Sequence, residues 1–176
     1  MTLNSMAHFY NFATLTDNDK KHYSSIPLEY WNPGRVSDDC VARSICRLTN
    51  LEYNETINQL KQYEKELNIP FVYTEIEVYG DFLIKKCGAK KIDSPLIINK
   101  MNGYNFCNTF TDGCYLVRVH NHVYAVVNGC AYDQWNALGE IITDLWFIDD
   151  KETKKMVQET QNSSNYLDNY KFWNRR

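Results

Sequence analysis

The chain has 176 residues, of which 44% are hydrophobic and 23% charged, a balance typical of one folded domain and not of a disordered chain. Its formal net charge of −3 carries no general basic bias, so nucleic acid is not an expected partner. No apolar run approaches the ~20 residues that a membrane span needs, which argues against a transmembrane protein.

The opening stretch, MTLNSMAHFYNF, lacks the basic start and apolar core of a secretory signal, so we expect a cytoplasmic protein. Six cysteines are present, and none form a Cys-x-x-Cys pair. An even number would allow three disulfides, but the cytosol favours reduced thiols. The cysteines and histidines have no recognised zinc-binding spacing, and we expect neither a metal nor an organic cofactor.

Residues 1–28 are polar and irregular and are interpreted as an N-terminal extension, followed by a domain over 29–150 and a polar tail over 151–176. The domain opens with the predicted loop WNPGRVSDD, in which Asn-Pro and Pro-Gly mark turns. Ser37 or Asp38 can then cap a helix. The predicted buried face of this helix is Val41, Ile45 and Leu48, with Arg43 and Arg47 off that face.

Two further helices are predicted, over 54–67 and from about 76 to 87, where Gly88 supplies the stop. The second half contains short runs of β-branched and aromatic residues that predict strands over 114–119, 122–127, 130–135 and 142–149. Asn128-Gly129 predicts a tight hairpin between the second and third of these strands. Helices followed by an antiparallel sheet indicate the α+β class.

Cys40 lies where the first predicted helix begins, in the stretch SDDCVARSICRL. The exposed N–H groups and the helix dipole there favour an anion, which promotes the thiolate form of a cysteine. Asp38 and Asp39 oppose a thiolate unless they point away or act as caps. A packed core thiol is the alternative for Cys40, and Cys46 is expected to be only that.

The predicted hairpin supplies partners for a reactive cysteine. A two-residue turn places His122, Tyr124, Asp133 and Trp135 on one face of the sheet. Asp133 is then diagonal to His122, at ~7 Å between Cα atoms, so a carboxylate can orient the imidazole. Alternatively, His122 and Asp133 are ordinary strand-end residues. The competing histidine, His120, precedes a predicted turn at Asn121 and is expected to be exposed or outside the immediate site.

Three separated blocks, YWNPGRVSDDCVARSI, HVYAVVNG and YDQW, give the chain a family resemblance. Over roughly residues 30–149 it resembles a group of small papain-like cysteine peptidases encoded by bacteriophages and prophages. The resemblance implies a papain-like fold with Cys40 as nucleophile, His122 as base and Asp133 as the residue that orients it. For a phage protein the expected location is the host cytoplasm. The resemblance does not imply a substrate.

One feature of the papain-like pattern is missing. Such enzymes commonly place a Gln before the cysteine as an oxyanion donor, and this loop contains none. Asn32 is the nearest side-chain amide and, with the backbone N–H of Cys40, would complete an oxyanion hole. Alternatively, Asn32 only forms the turn before Pro33. Gly34 and Trp135 are expected to border a cleft.

These observations predict a thiol hydrolase that acts on peptide or isopeptide bonds of a peptide or protein substrate. Acyl transfer by the same residues is an alternative, because both reactions pass through a thioester. A non-catalytic papain-like protein that captures or inhibits a host defence factor is the other alternative. An aromatic content of 14% suits such a binding surface, and it equally suits a core.

Overall fold

The computed structural model describes residues 38–134 and 136–149, together with the backbone of residues 8–11. The predictions made for Asn32, Gly34, Ser37 and Trp135, and for the tail over 151–176, lie outside the described residues. No helix in the described ranges combines the length and the apolar character that crossing a membrane requires.

The described residues form a mixed α+β fold, as predicted. The described residues contain four helices: α1 (Cys40–Thr49), α2 (Tyr53–Leu67), α3 (Ile76–Cys87) and α4 (Gly103–Thr109). The strands are β1 (His8–Asn11), β2 (Lys90–Lys91), β3 (Cys114–Val119), β4 (His122–Val127), β5 (Cys130–Asp133) and β6 (Asp144–Ile148). The main helices and strands therefore follow the predicted order, and the additional ones are short.

The strands form one sheet in the order β1-β5-β4-β3-β6-β2. All neighbours are antiparallel except β1, which pairs with β5 in parallel and sets Asn11 opposite Asp133. Residues 8–11 belong to the stretch that was interpreted as an irregular extension. Their strand depends on pairing with β5, more than a hundred residues away, which a local pattern of four residues does not reveal.

The hairpin between β4 and β5 forms at the predicted turn. Asn128 and Gly129 both have positive φ, 49° and 74°, which is the requirement of a type I′ turn. Val127 pairs with Cys130 across the turn. A Cβ at Gly129 would lie 2.9 Å from the carbonyl oxygen of Cys107, so glycine is needed for space as well as for conformation.

The sheet has an apolar core on each face. Helices α1, α2 and α3 pack on the face that contains Val123, Ala125 and Tyr132. Helix α4 packs on the opposite face, which contains Tyr124 and Val126. The site described below lies at one end of this sheet.

Helix α1 is buried on every side, from Val41 to Thr49. The prediction that Arg43 and Arg47 lie off the buried face is wrong, because their exposed fractions are 1% and 5%. Ser44 contacts the carbonyl of Val123 on the sheet, while Cys46 donates to Thr56 of α2 on another side. Packed between the sheet and a second helix, α1 is the central helix, and its arginines are buried with their partners.

Candidate active site

Cys40 is the first residue of α1 and is half-buried. The residue before it, Asp39, occupies the capping position one residue later than predicted, and its backbone carbonyl accepts from the N–H of Arg43 at 3.0 Å. The Asp39 carboxylate makes no capping hydrogen bond. The first-turn N–H groups beside the thiol therefore have no acceptor within the helix, as at any helix N-terminus.

His122 and Asp133 lie at the same end of the sheet, because β4 begins and antiparallel β5 ends there. His122 Nε2 and Asp133 Oδ2 are 2.5 Å apart, and the two side chains are 11% and 6% exposed. The second carboxylate oxygen, Oδ1, accepts from the backbone N–H of Gln134 at 2.7 Å. The predicted diagonal pairing of the two residues is confirmed, and the carboxylate is held on both of its oxygens.

The thiol of Cys40 lies beside the same imidazole, because both residues line one cleft and Cys40 acts on the pKa of His122. Since Nε2 faces Asp133, Nδ1 is the ring nitrogen that remains for the thiol. Burial lowers the pKa of His122, but the interactions with Asp133 and Cys40 outweigh it and raise the pKa to about 9. The imidazole is therefore protonated at neutral pH and lies between a carboxylate and a thiol.

The other thiols and the competing histidine differ from this arrangement. Cys46 is fully buried and donates to Thr56 Oγ1 at 3.2 Å, and burial raises its pKa to about 12. Burial likewise raises the pKa of Cys87 and of Cys107 to about 12. His120 is exposed, as predicted, and contacts its neighbour Asn121. Cys46 is therefore a packing residue, and His120 takes no part in the Cys40 site.

A cleft of about 350 Å³ opens beside Cys40 and His122. Cys40 and His122 form part of its wall, together with the segment that leads into α3, the first turn of α3 and the end of β3. The lining residues from these parts include Thr74, Glu75, Glu77, Tyr79 and Arg118. The sequence pattern did not single these residues out, because only the packing of α3 against the sheet brings them to Cys40.

No group of three or more His, Cys, Asp or Glu side chains in the described ranges is arranged to hold a metal ion. Those ranges contain all six cysteines, and no disulfide joins any of them. Comparisons of the chain with protein-family models, with curated proteins and with solved structures gave no match. What the site does must therefore be inferred from its own geometry.

The raised pKa of His122 links the stability of the fold to pH. The folded-state pKa of about 9 exceeds the ordinary value of 6.5, so the stabilisation is complete below pH 6.5 and is lost as the pH rises through about 9. The difference corresponds to at most ~3 kcal/mol, reduced by solvent screening. We expect urea unfolding to show wild type losing its advantage over His122→Asn between about pH 6 and 10. A constant difference would contradict the assignment.

Proposed function

We propose that the chain is a papain-like cysteine hydrolase acting on peptide or isopeptide bonds. One observation carries the proposal: His122 is hydrogen-bonded to the carboxylate of Asp133, and the thiol of Cys40 acts on the same ring from the wall of a shared cleft. A nucleophile, a proton carrier and a group that orients the carrier are the three parts that an activated cysteine needs. The resemblance to small phage and prophage peptidases assigns the same three residues to the same roles.

The geometry supports the following course of reaction. The protonated imidazole and the helix N-terminus favour the thiolate of Cys40, which attacks the carbonyl carbon of a substrate in the cleft. The oxyanion that forms is held by the backbone N–H of Cys40. His122 gives its proton to the departing amine, and a thioester remains on Cys40. His122 then takes a proton from water, which attacks the thioester and releases the acid product.

Asp133 keeps the ring of His122 aimed at the thiol during both proton transfers. Its carboxylate also stabilises the imidazolium, in line with the raised pKa of His122. If an amine replaces water in the second step, the same residues perform acyl transfer. Binding without catalysis is the outcome that remains if Cys40 has no special reactivity.

Alkylation of the thiols tests the proposal without a known substrate. At about pH 6.5 an ordinary thiol is only ~1% ionised, whereas a thiolate held by an imidazolium reacts with iodoacetamide ~10-fold faster or more. We expect Cys40 to be modified first, as read by peptide mass spectrometry, and the His122→Ala variant to lose this rate at pH 6.5. At about pH 9.5 the two proteins are expected to react alike, because an ordinary thiol also ionises there.

Accessibility alone would also favour Cys40 over the buried Cys46, so the rank order of the cysteines is not decisive. The decisive comparison is His122→Ala against His120→Ala, which removes an exposed imidazole two residues away. A Cys40 rate that is the same in both variants at pH 6.5 would sink the hydrolase proposal and leave a binding protein.

A further inference from the structure

Arg43 is a buried cation one turn beyond Cys40 in α1, and its exposed fraction is 1%. A buried charge is costly unless ion pairs and hydrogen bonds compensate it. The partners of Arg43 lie beside two members of the Cys40 site. They therefore indicate what this arginine does for the chemistry.

The first partner is Asp39, the residue before Cys40. Arg43 Nε lies 3.0 Å from Asp39 Oδ1, and Nη2 lies 2.9 Å from Oδ2, so the guanidinium binds both carboxylate oxygens. Tyr53 of α2 also donates to Oδ2, at 2.8 Å. Burial and this hydrogen bond raise the pKa of Tyr53, so its hydroxyl remains a donor. Asp39, the buried acid that precedes Cys40, is thus paired with a cation and accepts from a hydroxyl.

The second partner is Gln134, the residue after Asp133. With the side-chain amide turned so that its oxygen faces the guanidinium, Gln134 accepts from Arg43 Nε and Nη2, each at 2.8 Å. The backbone N–H of Gln134 donates to the Asp133 carboxylate. Arg43 therefore connects the start of α1, which carries Cys40, to the end of β5, which carries Asp133.

We propose that Arg43 is a positioning residue that neutralises Asp39 beside Cys40 and ties the nucleophile helix to the strand of Asp133. The proposal rests on the hydrolase function proposed above. Arg43 makes two separable contributions. Its guanidinium compensates the Asp39 carboxylate, which otherwise opposes the thiolate of Cys40. It also binds the Gln134 side chain, which otherwise loses its link to α1. The first contribution is electrostatic and has its own readout.

Several other titratable groups lie around the Cys40 thiol. His122 approaches it from β4, and the charges of Cys40 and Asp39 both act on Tyr73. The charge of Cys40 also acts on Tyr79 of α3. Among the described residues, the remaining charged groups that adjoin the thiol or line the cleft are Asp38, Glu75, Glu77 and Arg118. All of them stay unchanged when Arg43 and Asp39 are replaced, so differences between those variants report on this ion pair.

The test is the pH profile of Cys40 alkylation by iodoacetamide in three full-length variants. We expect Arg43→Met to slow the reaction about tenfold at pH 6.5 and to displace the profile to higher pH, because the buried Asp39 carboxylate is uncompensated. The double variant Asp39→Asn, Arg43→Met removes both charges and is expected to recover most of the rate. The matched control is Arg47→Met, which removes an equally buried arginine of α1 that stacks on Tyr132 instead.

If Arg43→Met does not fold, Asp39→Asn alone gives the answer, because it leaves the guanidinium without its acid and must displace the profile to lower pH. An unchanged pH profile of Cys40 alkylation in Arg43→Met overturns the proposal. If Asp39→Asn has to replace that variant, an unchanged profile in Asp39→Asn overturns it. A loss in Arg43→Met that the double variant does not recover, or an equal loss in Arg47→Met, also overturns it, since the effect is then only structural. Failure of the hydrolase proposal gives a different result, because the alkylation rate of Cys40 at pH 6.5 is then the same with and without His122.

Discussion

Mixing the protein with p-nitrophenyl acetate at about pH 7 is expected to release ~1 equivalent of p-nitrophenol per chain in a fast first phase. The Cys40 thiolate attacks the ester carbonyl, p-nitrophenolate leaves, and an acetyl thioester remains on Cys40. The Cys40→Ser variant is expected to lose this phase completely. His122→Ala is expected to slow it by ~10²- to 10⁴-fold, the range typical of removing a proton-transfer residue. Absorbance after rapid mixing measures the rate.

The activated ester needs no particular recognition, so the experiment does not depend on the natural substrate. Cys46→Ser is the control for loss of a thiol from α1, since the Cys46 thiol donates to Thr56 inside the core and does not line the cleft. Mass spectrometry of the protein stopped after the first phase should locate the acetyl group on Cys40. Acetylation spread over several cysteines, or a first phase that survives Cys40→Ser, would contradict the assignment of the nucleophile.

Much of the fold could be predicted because its signals are local. The Asn128-Gly129 turn fixed the register of β4 and β5, and that register alone placed His122 within reach of Asp133. The buried positions Val41, Ile45 and Leu48 followed from helical period. Turns and periodicity are properties of a few neighbouring residues, which a single sequence displays directly.

What could not be predicted depends on contacts distant in the chain. The pattern assigned Arg43 and Arg47 to an outer face, since arginine is rarely buried, but a helix enclosed by a sheet and another helix has no outer face. Strand β1 owes its existence to β5, and α4 covers the far face of the sheet over only seven residues. The periodicity of hydrophobic residues does not indicate which helices and strands are covered by distant parts of the chain.

The site was likewise predictable in its members and not in its surroundings. The hairpin spacing predicted the contact between His122 and Asp133, and the resemblance implied Cys40 beside them; the structure places all three at one end of the sheet. The connection from Asp133 through Gln134 to Arg43 and back to Asp39 joins two parts of the chain about ninety residues apart. This connection answers the concern that Asp39 opposes a thiolate: the acid neither points into solvent nor caps the helix, but is paired with a cation.

Asp133→Asn is expected to lower the rate of Cys40 acylation by p-nitrophenyl acetate by ~10²- to 10⁴-fold. The amide keeps the size of the carboxylate but not its charge, so the imidazolium loses its counter-ion. An amide nitrogen facing Nε2 also donates where the carboxylate accepted, which disfavours the working orientation of the ring. The same change should lower the pKa of His122 from about 9 towards 6.5 or below, since burial then acts with less opposition.

NMR titration of the His122 ring measures this pKa directly and needs no substrate. The control is Asp81→Asn, which removes the carboxylate that accepts from the Tyr63 hydroxyl at 2.6 Å and does not line the cleft. Its acylation rate and the pKa of His122 are expected to stay close to wild type. If Asp133→Asn lowers the rate while the His122 pKa stays near 9, the carboxylate does not act through the imidazole, and the third member of the Cys40 site is assigned incorrectly.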